Sequence, residues 1–151
     1  MTLKYTSSKT YSHDIGLSVA FRQWRATSHC RFLHGYALGF KFTFSAITLD
    51  NNGWVIDFGS MKSLKQKLID YFDHKLIVAS DDPQLSLFRA MHDAQLCDLI
   101  ITPTGTGCEN FAKLCYDIAH QWLNDNGHSP RCRLDTVEVK EHGANGATYG
   151  I

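Results

Sequence analysis

The strongest constraint on the fold is a run of alternating apolar and polar side chains between residues 36 and 46. The apolar positions, which would share one face of an extended chain, are Tyr36, Leu38, Phe40, Phe42, Phe44 and Ala46. Lys41, Thr43 and Ser45 fall between them. Because successive side chains of a strand point to opposite faces, this pattern predicts a long antiparallel strand with one buried face.

Three further segments have the signatures of strands. Residues 16–24 alternate loosely, and residues 134–140 alternate more regularly. Residues 147–151 follow a Gly-rich turn at 143–146 and can pair with the strand before it.

Two long segments carry apolar residues at helical spacing. The first starts at Ser60, a residue type that caps helices, and ends near His74. The second starts near Glu109 and stops at Asn126. A shorter helix is predicted for residues 85–92.

The order of the main elements is strand-strand-helix-helix-strand-strand. It predicts an α+β fold, a four-stranded antiparallel sheet with two helices on one face. The length fits a single domain over residues 1–151, in which the polar residues 1–9 are expected to be flexible. Such a sheet leaves its edge strands unpaired, so we expect self-association.

Composition excludes several classes of partner. Lys+Arg and Asp+Glu number 15 each, so no overall positive field favours nucleic acid. No apolar run approaches the roughly 20 residues of a membrane-spanning helix, and the N-terminus lacks the apolar core of a signal peptide. We therefore expect a cytoplasmic protein. The five cysteines include no CxxC pair, which predicts reduced thiols.

Reactive side chains concentrate between the first two predicted strands. Cys30 is adjacent to His29 and lies near Arg25 and Arg31, a setting in which a thiolate can form. The alternative is a loop of ordinary surface residues.

Three more motifs could carry chemistry. Asp73 precedes His74 and could orient its imidazole for proton transfer. Thr106 lies between two glycines and Glu109 follows them at the start of the second long helix, where backbone N–H groups can meet an anion. Glu141, at a strand end, could accept two N–H bonds from the edge of a heterocycle such as a pterin. Taken singly, each also fits a helix end, a helix cap or an exposed strand end.

The order of these motifs resembles that of the 6-pyruvoyl-tetrahydropterin synthase and 6-carboxy-tetrahydropterin synthase family, from about Leu17 to the C-terminus. In chain order the matching pieces are Cys30, His34-Gly35, residues 53–58, Asp73-His74, Pro103-Thr104, Glu109-Asn110 and residues 139–141. The resemblance implies a T-fold that assembles through trimers into hexamers, with active sites between subunits. It also implies 7,8-dihydroneopterin triphosphate as the substrate.

The resemblance assigns roles to individual residues. Cys30 corresponds to the catalytic thiolate that moves protons on the substrate side chain, and Asp73 and His74 to the other relay members. Glu141 corresponds to the residue that anchors the pterin ring, and Glu109 opens the second helix beside the pterin pocket.

The loop before that helix has two extra residues and contains Thr106, a further candidate for substrate binding. Arg25 and Arg31 could bind the triphosphate through paired N–H bonds or form salt bridges between subunits.

The largest departure from the family concerns zinc. The family holds the metal with three histidines, and in this chain Phe21 and Tyr36 stand at two of those positions, which leaves His34. A catalytic zinc needs three protein ligands, so His34 alone cannot hold one. The candidates for the missing ligands are His29, Cys30 and His13.

Three functions are compatible with the sequence. The first is a lyase that forms 6-carboxy-tetrahydropterin, on the path to queuosine, in preference to the 6-pyruvoyl product. The second is a T-fold protein that binds a pterin or purine without lyase activity. The third is a metal-independent enzyme acting on another pterin, with Tyr36 as an acid.

Overall fold

The computed structural model describes all of residues 1–151, which form eight strands and three α-helices. The strands are β1 (Tyr5–Tyr11), β2 (Ser18–Phe21), β3 (His34–Ala37), β4 (Gly39–Ala46), β5 (Lys75–Ala79), β6 (Asp98–Thr102), β7 (Arg133–His142) and β8 (Asn145–Gly150). The helices are α1 (Lys62–Phe72), α2 (Leu85–Asp93) and α3 (Cys108–Asp125).

The larger sheet is antiparallel throughout, in the order β1-β4-β7-β8. Its inner face carries the alternating aromatic residues Phe40, Phe42 and Phe44, which are fully buried. The helices α1 and α3 cover that face, and Phe111 and Trp122 of α3 are buried against it. The predicted α+β class, with a four-stranded antiparallel sheet and helices on one face, is therefore confirmed.

A second sheet, which the sequence did not predict, has the order β3-β2-β5-β6. Strand β2 is antiparallel to β3 and parallel to β5, and β5 is parallel to β6. The segment 16–24 thus contributes its strand to this sheet and not to the larger one. Residues 75–79 and 98–102 were missed because buried parallel strands read as short apolar runs without alternation.

The long predicted strand from residue 36 onward is two strands in different sheets. The chain leaves β3 after Ala37 and enters β4 at Gly39, and the Leu38 amide donates to the Leu17 carbonyl at 3.3 Å. Gly39 lies against the His13 ring, where a Cβ would stand 3.1 Å from a ring carbon. The apolar alternation continues through the break, with Tyr36 half-buried in β3 and Leu38 and Phe40 buried beyond it.

The prediction that residues 1–9 are flexible does not hold for residues 5–9, which belong to strand β1. Strand β1 pairs with β4 along its whole length, from Tyr5 opposite Ala46 to Tyr11 opposite Phe40. Its polar composition reflects its place at the sheet edge, where most of its side chains are exposed and Tyr11 alone is buried.

The predicted helices are present with small shifts at their ends. A 3-10 turn at Phe58–Met61 precedes α1, and its cap is Asp57, whose carboxylate accepts the Gly59 amide at 2.8 Å. Ser60 therefore lies inside this turn. No helix combines the length and apolar character needed to cross a bilayer.

Candidate active site

The rings of Phe21, His34 and Tyr36 form a cluster, the aromatic group, where β2 ends and β3 begins. Phe21 is the last residue of β2 and faces His34 across the strand pair, and Tyr36 lies two residues further on the same side of β3. The ring centroids of Phe21 and His34 are 4.9 Å apart, and those of His34 and Tyr36 are 5.5 Å apart. Phe21 is fully buried and meets the Phe111 ring edge-on at 5.0 Å. This end of the second sheet is therefore anchored to α3.

Cys30 is held beside this group by a short 3-10 turn, His29–Arg31. The Ser28 hydroxyl accepts the Cys30 amide at 3.3 Å, and the Cys30 carbonyl accepts the Gln23 amide at 2.9 Å. The second bond ties the turn to the residues that follow β2. The Cys30 thiol is half-buried and close enough to Tyr36 to influence its hydroxyl electrostatically.

Glu141 reaches the same place from the larger sheet. The pairing of β7 with β8 shifts register between Lys140 and His142, so Glu141 lies in a bulge. A bulge turns a side chain out of the regular ladder, and bulges are frequent beside active sites. Here Glu141 faces the Tyr36 hydroxyl.

The Glu141 carboxylate affects the pKa values of the groups around it. Burial first, and then the charges of Glu141 and Cys30, raise the pKa of Tyr36. Burial and the Glu141 carboxylate raise the pKa of Cys108 to about 11. Both groups therefore stay protonated at neutral pH and can donate hydrogen bonds.

The loop before α3 is fastened to the end of β2. The Thr106 hydroxyl donates to the Arg22 carbonyl at 2.6 Å. Gly107 has a φ of 98°, a backbone conformation that favours glycine, and a Cβ there would also displace the Gln23 side-chain amide, which would lie 2.3 Å away. Cys108 and Glu109 then open α3, the former buried and the latter exposed.

The predicted phosphate-binding arginines differ in their environments. Arg25 stacks on Trp24 and pairs with Asp81 at 2.8 Å, and this pair is exposed. Arg31 donates to the carbonyls of Thr27 and Ser28 at 3.0 Å each and has no carboxylate partner in the chain. The positive charge of its guanidinium is therefore not neutralised by a carboxylate of this chain.

A polar cleft of about 570 Å³ lies between the residues that follow β2 and the loop before α3. Two of the predicted substrate-binding residues, Arg25 and Thr106, line it, together with Asn110 and Asp81. The cleft adjoins the loop that carries Cys108, because that loop forms one of its walls.

Asp73 and His74 form the predicted pair, at a different place. His74 Nδ1 lies 2.9 Å from the Asp73 carboxylate, which also accepts the Ser18 amide at 3.2 Å. Ser18 starts β2 and Phe21 ends it, so about 10 Å of extended chain separates this pair from the aromatic group. His74 is exposed. One chain thus brings Cys30, Glu141 and the start of α3 together, without Asp73 and His74.

The residues at the family's metal positions do not suit zinc. Phe21 has no donor atom, and the Tyr36 hydroxyl faces Glu141. His29 is exposed on its turn, and His13 Nδ1 is held by the Ala37 carbonyl at 2.6 Å. No three His, Cys, Asp or Glu side chains in the chain are grouped closely enough to hold a metal ion.

Sequence reasoning missed one member of this site. Cys108 was interpreted as one more buried thiol, whereas it lies close enough to Glu141 for that carboxylate to raise its pKa. The available signal was its position, directly after the Gly-rich loop and directly before Glu109.

Comparison with known sequences gives consistent matches. A sequence model of the family described as 6-pyruvoyl tetrahydropterin synthase matches residues 10–150. A 6-carboxy-5,6,7,8-tetrahydropterin synthase of Aquifex aeolicus is 24% identical over 97% of this chain and 98% of that protein. One of Rickettsia typhi is 46% identical over 57 residues, which are 37% of this chain and 41% of that protein. This second match therefore spans less than half of the relative.

Comparison with solved structures concerns the fold. An uncharacterised protein of Wolinella succinogenes superposes with a TM-score of 0.83 at 17% identity, over 98% of both chains. The 6-pyruvoyl tetrahydropterin synthase of Plasmodium falciparum superposes with a TM-score of 0.71 at 15% identity, over 97% of this chain and 96% of that one. These matches confirm the predicted T-fold.

Proposed function

This chain belongs to the 6-pyruvoyl tetrahydropterin synthase family, as the order of its motifs predicted, and we propose that it converts 7,8-dihydroneopterin triphosphate to 6-carboxy-tetrahydropterin. The observation that carries the proposal is that Cys30, on the turn before β3, and Glu141, in the β7 bulge, both lie close enough to Tyr36 to raise its pKa. The product is chosen because the matching relatives of Aquifex aeolicus and Rickettsia typhi are named 6-carboxy-5,6,7,8-tetrahydropterin synthases.

Glu141 is proposed to bind the heterocycle. An ionised carboxylate offers two acceptor oxygens, which suit adjacent N–H groups on the edge of a pterin. Cys108 and Tyr36 border this carboxylate and keep their protons. They can therefore donate hydrogen bonds to the Glu141 carboxylate, which keeps its negative charge.

Cys30 is proposed to move protons on the substrate side chain. Its half-buried thiol lies at the rim of the site, where a side chain extending from a ring bound at Glu141 would pass. Arg31, with its free charge, and Arg25 in the neighbouring cleft are placed to attract the triphosphate.

Asp73 and His74 are proposed to serve the site of a neighbouring subunit. They form a ready hydrogen-bonded pair, yet they are exposed and lie at the far end of β2 from Cys30. A trimer-based hexamer with sites between subunits, as the resemblance implies, would bring this pair to another copy's Cys30. The edge strands β1 and β8 are available for that assembly. A cytoplasmic location remains a prediction of the sequence.

The test separates turnover from binding. Cys30→Ala should abolish product formation and leave pterin binding intact, as measured by fluorescence titration. Glu141→Gln should weaken binding about 10- to 100-fold, because a charged hydrogen-bond acceptor is worth about 1.5–3 kcal/mol. Cys97→Ala, which changes a half-buried cysteine directly before β6, is the matched control and should retain full turnover. Full turnover by Cys30→Ala would reject the assigned role.

A second candidate is a pterin- or purine-binding protein without lyase activity, and the aromatic replacements Phe21 and Tyr36 favour it. A third is a metal-independent enzyme on another pterin that uses the Tyr36 hydroxyl as an acid. Binding of the substrate without any product would favour the second. Turnover of a different pterin, lost in Tyr36→Phe, would favour the third.

A further inference from the structure

The aromatic group at the end of β2 has the spacing of a metal centre without its donors. Phe21 and His34 are 4.9 Å apart between centroids, His34 and Tyr36 are 5.5 Å apart, and Phe21 and Tyr36 are 6.2 Å apart. All three side chains lie on the same side of the β2–β3 pair, because Phe21 is paired with His34 and Tyr36 follows by two residues.

Three imidazoles around a tetrahedral zinc have nearly the same spacing. With a zinc–nitrogen distance of about 2.0–2.1 Å, each ring centroid lies about 3.2 Å from the metal, and tetrahedral angles place the centroids about 5 Å apart. The shortest of the three separations, 4.9 Å, agrees with this value, and the longest, 6.2 Å, exceeds it by about 1 Å. The rings at these three positions are therefore spaced nearly as those of a three-histidine centre would be.

The one histidine that remains has the hydrogen bond that selects the tautomer of a metal ligand. Its Nδ1 lies 2.7 Å from the Phe32 carbonyl, which can only accept, so Nδ1 carries the proton and Nε2 keeps its lone pair. A backbone carbonyl on the second nitrogen is the usual support of a metal-binding imidazole.

The other two positions are committed to different contacts. Phe21 is fully buried against Phe111 of α3 and belongs to the main apolar core. Tyr36 turns its hydroxyl toward Glu141 and its ring toward His142, at 6.1 Å between centroids. Neither arrangement leaves a donor atom directed at the point where three imidazoles would meet.

We infer that this chain holds no resident metal at this position, and that its backbone is a latent three-histidine centre which Phe21→His and Tyr36→His together would complete. At the first position Phe21 packs into the apolar core and offers no ligand atom. At the second position Tyr36 offers a neutral hydroxyl, which lies beside Glu141. Metal binding at this position can be measured whether or not the protein converts a pterin.

The experiment measures metal content directly. Wild type, His34→Ala and the double variant are purified from zinc-supplemented medium, dialysed against Zn²⁺, and analysed by mass spectrometry of the metal. Wild type and His34→Ala should contain equally little zinc. The double variant should bind about one equivalent and, with Co²⁺, show the intense visible absorption of a tetrahedral site.

Two results would overturn the inference. Zinc bound stoichiometrically by wild type and lost in His34→Ala would show that other ligands complete the site. A double variant that folds, as judged by circular dichroism, and binds no more zinc than wild type would reject the latent geometry. If burying an imidazole at position 21 prevents folding, the comparison of wild type with His34→Ala still decides whether a resident metal exists.

Discussion

The pair formed by Arg22 and Asp82 should be the main electrostatic support of the candidate site. Arg22 Nε donates to one Asp82 oxygen at 2.8 Å and Nη2 to the other at 2.6 Å. The Asp82 side chain is 1% exposed and that of Arg22 is 19% exposed. Arg22 also donates to the Arg31 carbonyl at 3.3 Å, so the pair fixes the turn that carries Cys30.

We predict that Asp82→Asn lowers the free energy of unfolding by about 3 kcal/mol. Removing one member of a buried pair costs about 3–5 kcal/mol, because the other charge is left without compensation. Asparagine keeps one acceptor oxygen, so the lower end of the range applies. For a chain of this size the loss corresponds to a decrease in Tm of about 6–12 °C.

The neighbouring Asp81 provides a matched control. It also pairs with an arginine, Arg25, but the two side chains are 52% and 72% exposed. Exposed pairs contribute little, so Asp81→Asn should leave Tm unchanged. Both variants are melted at the same protein concentration, since self-association would shift Tm.

The loss of stability in Asp82→Asn should also depend on pH. The Arg22 guanidinium lowers the pKa of Asp82 below its usual value. The stability from this pair is therefore present above the unfolded-state pKa, near 4, and is lost as pH falls through the lower folded-state pKa. The difference in Tm between wild type and Asp82→Asn should therefore decrease in acid. Equal Tm values for Asp82→Asn and Asp81→Asn, or a difference that persists undiminished at pH 2, would refute this reasoning.

Three further predictions concern the framework of the site. Gly35→Ala should lower the free energy of unfolding by about 1–3 kcal/mol in urea titration, because the new Cβ would lie 2.8 Å from the Val19 carbonyl oxygen and disturb the β2–β3 pair; an unchanged midpoint would contradict this. Ser45→Ala should cost about 1–3 kcal/mol in the same assay, since it removes the 2.7 Å hydrogen bond to the buried Asp135 carboxylate, whereas Ser60→Ala, whose hydroxyl is exposed, should cost less. Deletion of residues 2–9 should lower Tm markedly because it removes most of β1, and a truncated protein as stable as the full chain would mean that β1 contributes nothing.

The elements with strong periodicity were predictable from the sequence. The alternation of Phe40, Phe42 and Phe44 placed β4 in an antiparallel sheet, and the apolar stripes of α1 and α3 located both helices. The second sheet was not predictable in this way. Its strands β5 and β6 are short and continuously apolar, and periodicity cannot distinguish such runs from buried loops or helix segments.

The site was predictable only as a set of motifs. The sequence indicated Cys30, Asp73, His74 and Glu141 as reactive residues, and the first and last of these both lie near Tyr36 in the structure. The separation of Asp73 and His74 from them follows from the second sheet, because these residues join its strand β5 at the far end of β2. The role of Cys108 depends on the β7 bulge at Glu141, which no local pattern reveals.

The most direct test of the proposed function is a product assay on the unmodified protein. The purified chain is incubated with 7,8-dihydroneopterin triphosphate in zinc-free buffer and in buffer with added zinc, and products are identified by mass spectrometry. The account predicts 6-carboxy-tetrahydropterin in both conditions at equal rates. Unchanged substrate in both conditions would contradict the proposed synthase activity.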